Sequence, residues 1–439
     1  MWTKDAQTLP SLFLSLLLSL SLSGWLGHAG PAMAQSAAAV PMAETGLDEL
    51  LARVYSEHPE LRGLRLEQQL WAARALQAGL GPNPELSLSG EDFVGSAAFT
   101  QERFTQFTLE LAQSLPLGDR IERSRQLAQF NQQLAYWAYR VRLQELGAQV
   151  YIAYARLLAL QAQQGLAAEL IRSAQEIHAL MQRAVAAGKL APSVLLQSEL
   201  EIAAAQADAV RLALVRQGEL RDLALLWGGS DTELAALKPL SPGLPALETL
   251  RAQLVSHPRL ARWDTERAMR QAALDVARAQ GVPDLTLSGG LRYHPPLDWG
   301  AVLSLGLPLP FANANQGHIE EARLRQQNWE QERALEARQL LSHLTSAYAQ
   351  LQAHHSLLGI LREQVRLAGE QQQAADKAFA AGKTGYLEVL TAWRNQVQLR
   401  RQFVQAQGEL LLAEVEVLTS ARILYPQEAL EPLDREVMP

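Results

Sequence analysis

Long stretches of this chain carry apolar residues at steps of three and four, which is the pattern of amphipathic helices. One such stripe comprises Leu127, Phe130, Leu134, Trp137 and Val141. Residues 117–191 and 311–425 contain no proline, so neither segment has an obligatory helix break. As one continuous helix, residues 119–187 would extend about 100 Å. Few globular domains need helices of that length, so the pattern predicts coiled coils or a helical tube.

Four short segments follow a different pattern, in which apolar residues alternate with polar or small ones. Their apolar positions are Leu86 and Leu88; Phe107, Leu109 and Leu111; Leu285, Leu287 and Leu291; and Leu303, Leu305 and Leu307. Such alternation predicts a sheet that is wetted on one face. Two arrangements fit it: a transmembrane barrel with the apolar face in lipid, or a soluble sheet packed against helices. Four strands are too few to close a barrel, so in lipid the chain would have to oligomerise.

The chain also repeats itself at a period of about 195 residues, which indicates two homologous halves. The matches, in order along the chain, pair 58–61 with 257–260, 86–90 with 285–289, and 186–189 with 380–383. Each half predicts a short helix, a longer helix, two strands, a very long helix, a Gly-Lys turn and a returning helix. A His-Pro pair separates the first two helices, because proline fits only the first turn of a helix. The predicted opening helices span 47–57, 59–80, 246–256 and 258–280.

The N-terminus predicts an export signal. Lys4 precedes an apolar run at 9–26, and residues 32–34 (Ala-Met-Ala) form the small–x–small pattern of a cleavage site. A retained membrane anchor is the alternative, but Ser and Gly residues lower the hydrophobicity of this segment. No later run of about 18 apolar residues exists, so insertion into a membrane would have to use strands. The predicted organisation is a signal peptide (1–34), a first structural repeat (35–240), a second structural repeat (241–425) and a C-terminal tail (426–439).

Composition agrees with long helices and narrows the class of protein. Of the 439 residues, 48% are apolar but only 6% are aromatic, and Ala, Leu, Gln and Arg dominate. The net charge is −7 without any basic block, which argues against nucleic acid as a partner. The absence of cysteine excludes disulfides, thiolate metal sites and a lipid-modified N-terminal cysteine.

Several motifs stand in the same order in this chain as in a known family. They are 79–86 (Gly-Leu-Gly-Pro-Asn-Pro-Glu-Leu), 115–118 (Leu-Pro-Leu-Gly), 307–311 (Leu-Pro-Leu-Pro-Phe), 315–317 (Asn-Gln-Gly), 381–383 (Ala-Gly-Lys) and 386–390 (Tyr-Leu-Glu-Val-Leu). With them, essentially the whole mature chain resembles the TolC-like outer-membrane efflux proteins. The Pro-Leu-Pro and Asn-Gln-Gly motifs are most similar to the heavy-metal (cobalt–zinc–cadmium or copper–silver) resistance branch.

The resemblance implies a mainly α fold with a small β part, in which three protomers of four strands each close a twelve-stranded barrel in the outer membrane. The long helices would then form a tube through the periplasm, docking on a periplasmic adaptor and an inner-membrane pump of the resistance–nodulation–division (RND) type. The side chains expected to face lipid are Phe107, Leu109, Leu111, Leu303 and Leu305. Thr108 is expected to face the lumen and to tolerate arginine better than its neighbours. Many relatives carry a lipidated cysteine that this chain lacks, so anchoring would rest on the barrel.

The two Gly-Lys turns and the segment after the second one are the candidate functional positions at the far end of the tube. Gly188 with Lys189, and Gly382 with Lys383, are expected to cap helices, since glycine adopts positive φ freely. The resemblance implies that these turns also contact the adaptor. It further implies that Glu388 lines a periplasmic aperture, where three copies would form a carboxylate ring. Thr391 stands one helical step on, so a second acidic ring is not expected.

Neither a metal site nor catalysis is predicted. His354 and His355 point about 100° apart on a helix, and His343 is eleven residues from His354, too far for joint chelation. No His-x₃-His, Gly-x-Ser-x-Gly or phosphate-binding loop is present, and no cofactor is expected.

Two functions therefore follow from the sequence. The first is an outer-membrane channel of a tripartite RND-type efflux system that exports metal ions or small toxic compounds. The second is a soluble periplasmic helical scaffold or adaptor, with its strands packed on its helices.

Overall fold

The computed structural model of the protein describes residues 46–91, 106–229, 237–240, 243–294, 298–426 and 429–430. The signal peptide predicted at 1–34 and most of the C-terminal tail lie outside the described residues. Within them, none of the helices is long and apolar enough to cross a membrane.

The two halves of the chain contain the same elements in the same order. The first half comprises α1 (Leu47–Glu57), α2 (Pro59–Ala78), β1 (Glu85–Glu91), β2 (Gln106–Leu115), α3 (Arg120–Ala186) and α4 (Ser193–Leu225). The second half comprises α5 (Leu247–Gln253) with a 3₁₀ turn (Leu254–Ser256), α6 (Pro258–Ala279), β3 (Leu285–His294), β4 (Asp298–Gly306), α7 (Gln316–Ala380) and α8 (Tyr386–Ala421). The predicted helices and strands are all present. The long helices α3 and α7 have 67 and 65 residues, so each extends about 100 Å.

The His-Pro pairs begin α2 and α6, as the sequence predicts. The Nδ1 atom of His58 accepts a hydrogen bond from the backbone N–H of Glu60, and that of His257 accepts one from Arg259. Acceptance requires a neutral imidazole. Burial, reinforced by Arg259, lowers the pKa of His257 to about 4, and burial also lowers the pKa of His58. Both imidazole rings are therefore kept neutral, which is the form that can accept the capping hydrogen bond.

Each long helix begins directly after a residue in the left-handed conformation. Asp119 (φ 57°) precedes α3, and Asn315 (φ 62°) precedes α7. Both residue types tolerate this region better than most. Asn315 also donates from its amide nitrogen to the carbonyl of Ala277 (2.7 Å), which ties the start of α7 to the end of α6. The strand-to-helix turn is thus built in the same way in both halves.

The four strands form one open antiparallel sheet in the order β1-β2-β3-β4. Residues that lie opposite each other in the register include Leu88 and Leu109, Leu109 and Leu291, and Leu291 and Ala301. The outer edges of β1 and β4 pair with no strand among the described residues.

The long helices pack as two hairpins side by side. α3 packs against α4, α7 packs against α8, and α3 also packs against α8, which gives the order α4-α3-α8-α7. Nearer the sheet, α2 and α6 pack on α3, and α6 also packs on α7. The largest core cluster joins α1 to the middle of α3 through fully buried Val54, Leu143, Leu146 and Val150. The helices thus form a sheet-like layer whose lateral edges are α4 and α7.

Candidate functional site: the sheet and the turn end of the hairpins

The leucine and aromatic residues of the four strands share one face of the sheet, because the register aligns them across every strand pair, whereas Val302 lies on the other face. The predicted lipid-facing residues Phe107, Leu109, Leu111, Leu303 and Leu305 all lie on this face and are all exposed in the chain, Leu303 to 80%. Tyr293 and Trp299, paired across β3 and β4 with ring centroids 5.0 Å apart, stand at one end of it. Aromatic residues at the border of an apolar band are typical of membrane barrels.

The opposite face of the sheet is largely polar. Thr108 and Ser288 lie on it with exposed fractions of 4% and 6%, although no helix of the described residues packs along the sheet. Strands β2 and β3 approach closely at Gly290, since a Cβ there would collide with the backbone of Leu109 and Glu110.

The charged side chains of the polar face are mainly acidic. Glu85, Glu91, Glu110 and Asp298 alternate with the apolar residues of their strands, and Arg292 is the basic residue among them. The guanidinium of Arg292 donates to the hydroxyl of Thr108 (3.0 Å), which buries that threonine. A pathway lined by this face would favour cations.

The soluble scaffold predicted as the second possibility is not supported by this geometry. It needs helices against the apolar face of the sheet. In the part of the chain that the structure describes, no helix packs along either face.

Both Gly-Lys turns cap their helices in the predicted way. Gly188 (φ 70°) donates its N–H to the carbonyl of Val185 (2.9 Å), and Lys189 donates to Ala184 (3.0 Å). Gly382 (φ 68°) and Lys383 repeat the pattern with Phe379 and Ala378. This is a Schellman motif, in which a glycine in the left-handed region satisfies the last carbonyls of the helix. All four turn residues are exposed.

The two turns lie side by side, because one apolar cluster joins the ends of all four long helices. Its buried members include Met181 of α3 and Tyr386, Leu390 and Trp393 of α8. Trp393 also donates from its indole nitrogen to the hydroxyl of Ser173 (2.9 Å). The turns predicted to meet a partner are therefore presented together at one end of the molecule.

Glu388 lies in the first turn of α8, directly after the second Gly-Lys turn. Its side chain is exposed and forms no ion pair with any described residue. Thr391, also exposed, donates its hydroxyl to the carbonyl of Leu387 (2.7 Å), so its polarity is used within the helix. Of the two predicted aperture positions, only Glu388 thus offers a charge to an adjacent solute.

Ion pairs that join the two hairpins were not found by reading the sequence. Arg394 of α8 binds Glu201 of α4 (2.6 Å), and Arg401 binds Asp208 (2.7 Å). A third pair joins Arg400 to Glu169 of α3. The partners are about 200 residues apart in the chain, so no local spacing reveals them.

No three His, Asp or Glu side chains of the described residues converge closely enough to hold a metal ion. The expectation that neither a cofactor nor a catalytic set is present stays a prediction.

The comparisons with known proteins agree with this geometry. The outer membrane efflux protein family matches residues 50–229 and 249–421. The cobalt-zinc-cadmium resistance protein CzcC of Cupriavidus metallidurans is 30% identical over 347 residues, covering 76% of this chain and 79% of CzcC.

Solved structures show the same fold. The outer-membrane channel OprN aligns with a TM-score of 0.71 at 19% identity, covering 86% of this chain and 91% of OprN. CusC aligns with a TM-score of 0.68 at 18% identity, covering 87% of this chain and 92% of CusC. VceC of Vibrio cholerae aligns with a TM-score of 0.69 at 17% identity, covering 85% of this chain and 95% of VceC.

The fold is therefore that of the TolC-like outer-membrane channels. The chain belongs to the outer membrane efflux protein family and is an efflux channel of the outer membrane.

Proposed function

We propose that three copies of this chain close a twelve-stranded barrel in the outer membrane and a helical tube in the periplasm. The observation that carries the proposal is the open four-stranded sheet with its apolar face exposed. Lipid does not tolerate unpaired strand edges, and pairing β1 of one copy with β4 of the next removes them. The acidic face would then line the lumen.

The helices support the same closure. In the order α4-α3-α8-α7, the outermost helices expose apolar stripes away from their own hairpins. The stripe of α4 comprises Leu196, Leu200, Val210 and Leu214, and that of α7 comprises Leu324, Leu335, Ile360 and Leu367, all at least half exposed. The α4 residues are spaced by four, ten and four positions, which keeps them on one side of the helix, as in a coiled-coil seam. Placing α4 of one copy against α7 of the next buries both stripes.

The paired turns are proposed to contact a periplasmic adaptor, which connects the tube to an inner-membrane pump of the RND type. Their exposure and their presentation at one end of the molecule support this role. The protein is a conduit and is proposed to catalyse no reaction.

The proposed cargo is a divalent transition-metal ion. The name of CzcC, a cobalt-zinc-cadmium resistance protein, and the acidic face of the sheet both support it. Deletion of the gene is expected to sensitise the cell to Co²⁺, Zn²⁺ or Cd²⁺, with resistance restored by the gene on a plasmid. A growth panel of metals and organic drugs tests this. Sensitivity confined to the organic compounds would contradict the metal cargo while leaving the channel intact.

Glu388 is proposed to form a threefold carboxylate ring at the periplasmic end of the tube. Glu388→Lys is expected to shift the selectivity of the purified channel in planar bilayers towards anions. The shift should be larger at low salt, because screening is then weaker. Glu388→Ala should reduce cation preference without affecting folding.

The matched control for this ring is Glu199→Lys, which makes the same charge change at an exposed position of α4. It is expected to leave selectivity nearly unchanged. Equal selectivity of wild type and both Glu388 variants at low ionic strength would place the aperture elsewhere.

A further inference from the structure

Two histidines of α7 each face a carboxylate of α8 across the hairpin. The Nε2 atom of His343 lies 3.7 Å from a carboxylate oxygen of Glu416, and the Nδ1 atom of His354 lies 3.7 Å from one of Glu409. These separations exceed an ordinary hydrogen bond. The Nδ1 atom of His354 is buried and makes no hydrogen bond within the described residues.

The two pairs are aligned along the hairpin. His343 and His354 are eleven residues apart, which is three full turns plus about 20° of rotation, so both point to nearly the same side of α7. Glu416 and Glu409 are seven residues apart, which is two full turns less about 20°, so both point to nearly the same side of α8. Because the helices run antiparallel, the pairs form two rungs on one side of the α7–α8 contact. Their spacing is about 16 Å along α7 but about 10 Å along α8, so the two rungs are inclined to each other.

The separation within each rung suits a bridging metal ion. Zinc binds imidazole nitrogen and carboxylate oxygen at about 2.0–2.2 Å, which in tetrahedral geometry puts the two ligand atoms about 3.4 Å apart. A nitrogen and an oxygen 3.7 Å apart reach this with a small rotation of the side chains. Mixed imidazole and carboxylate ligands suit Zn²⁺, Co²⁺, Ni²⁺ or Cu²⁺ and disfavour Mg²⁺.

Two protein ligands leave the rest of the coordination shell to water, so each rung should hold its ion weakly. The side chains of the first rung are accessible, with His343 60% and Glu416 44% exposed, whereas the Nδ1 atom of His354 in the second rung is buried. In Glu409 one oxygen accepts from the amide of Gln405 (2.9 Å) and the other faces His354, which orients the carboxylate. A weak and accessible site releases its ion readily.

We propose that His343 with Glu416 and His354 with Glu409 form a two-rung ladder of transient sites for divalent transition-metal ions. The inference deepens the proposed metal cargo and rests on it. It concerns binding by each hairpin alone, so the ions bind whether or not the periplasmic partners are present.

Equilibrium dialysis of the full-length, untagged protein in detergent against Zn²⁺ tests the ladder. His343→Gln and His354→Gln are each expected to bind about one Zn²⁺ fewer per chain than wild type, and the double variant about two fewer. Glu409→Gln should match His354→Gln. Mg²⁺ in tenfold excess should displace little of the Zn²⁺.

The matched control is His178→Gln. His178 also bridges two long helices, but it contacts the hydroxyl of Ser198 (2.7 Å) and Gln182 rather than a carboxylate. Its Zn²⁺ stoichiometry should equal that of wild type. Circular dichroism shows whether each variant is folded.

An unchanged stoichiometry in the folded double variant would overturn the ladder, as would full displacement by Mg²⁺. Neither result bears on the growth panel, which reports the cargo of the channel. Conversely, a deletion strain sensitive only to organic drugs would remove the cargo role even if the rungs bind Zn²⁺.

Discussion

Leu303→Arg should largely prevent assembly of the channel in the outer membrane. Leu303 lies on the apolar face of the sheet, where the proposed barrel meets lipid. An arginine near the bilayer midplane of such a barrel costs about 2–4 kcal/mol, and each of the three copies in the trimer would carry this cost. Leu305→Arg should behave in the same way. The measurement is the amount of oligomer in outer-membrane fractions, set against the total protein made.

Ser304→Arg is the matched control, because Ser304 lies between these leucines, is also exposed and belongs to the polar face. It should assemble nearly as wild type. Thr108→Arg, which the sequence suggests for this purpose, is unsuitable, since Thr108 is buried beside Arg292. Equal assembly of the leucine and serine variants would mean that the sheet does not contact lipid.

The second large effect is expected at the lateral edge of the helical layer. Leu200→Glu and Leu214→Glu place charges on the exposed stripe of α4, which the proposed trimer packs against α7 of the next copy. Each change removes about 1.5–3 kcal/mol of apolar burial and adds the cost of burying a charge. The double variant is therefore expected to fold as a protomer but not to form trimers, as native mass measurement in mild detergent would show.

Gln206→Glu serves as the control for the stripe. Gln206 is an exposed residue of the same helix, about 80° around it from the centre of the stripe. The Gln206→Glu variant should remain trimeric. A trimer that survives the double leucine substitution would show that α4 is not at the interface, and a stable wild-type monomer in the membrane would contradict the barrel itself.

Much of the fold could be predicted because it depends on local chemistry. The length of α3 follows from apolar residues at steps of three and four with no interrupting proline. The start of α6 follows from a His-Pro pair, since proline suits the first turn and the preceding histidine can accept from the helix. The capped turns follow from glycines that adopt positive φ without strain.

The candidate site was predicted only in part. Alternation placed Leu109 and Thr108 correctly on opposite faces, because side chains of a strand alternate whatever surrounds it. The burial of Thr108 was missed, since it depends on Arg292 of a strand almost 200 residues later. The position of Glu388 beside a turn was predictable, whereas its convergence with copies of itself remains a prediction.

The sequence by itself thus determined the helices, the strands, their caps and the two faces of the sheet. These features depend on residues within a few positions of one another, where backbone geometry sets which side chains share a face. Only the tertiary structure decided which hairpin lies beside which, and with it the Arg394–Glu201 pair and the facing of His354 and Glu409. The physical reason is that such contacts depend on how whole helices pack and slide along one another, which no local spacing encodes.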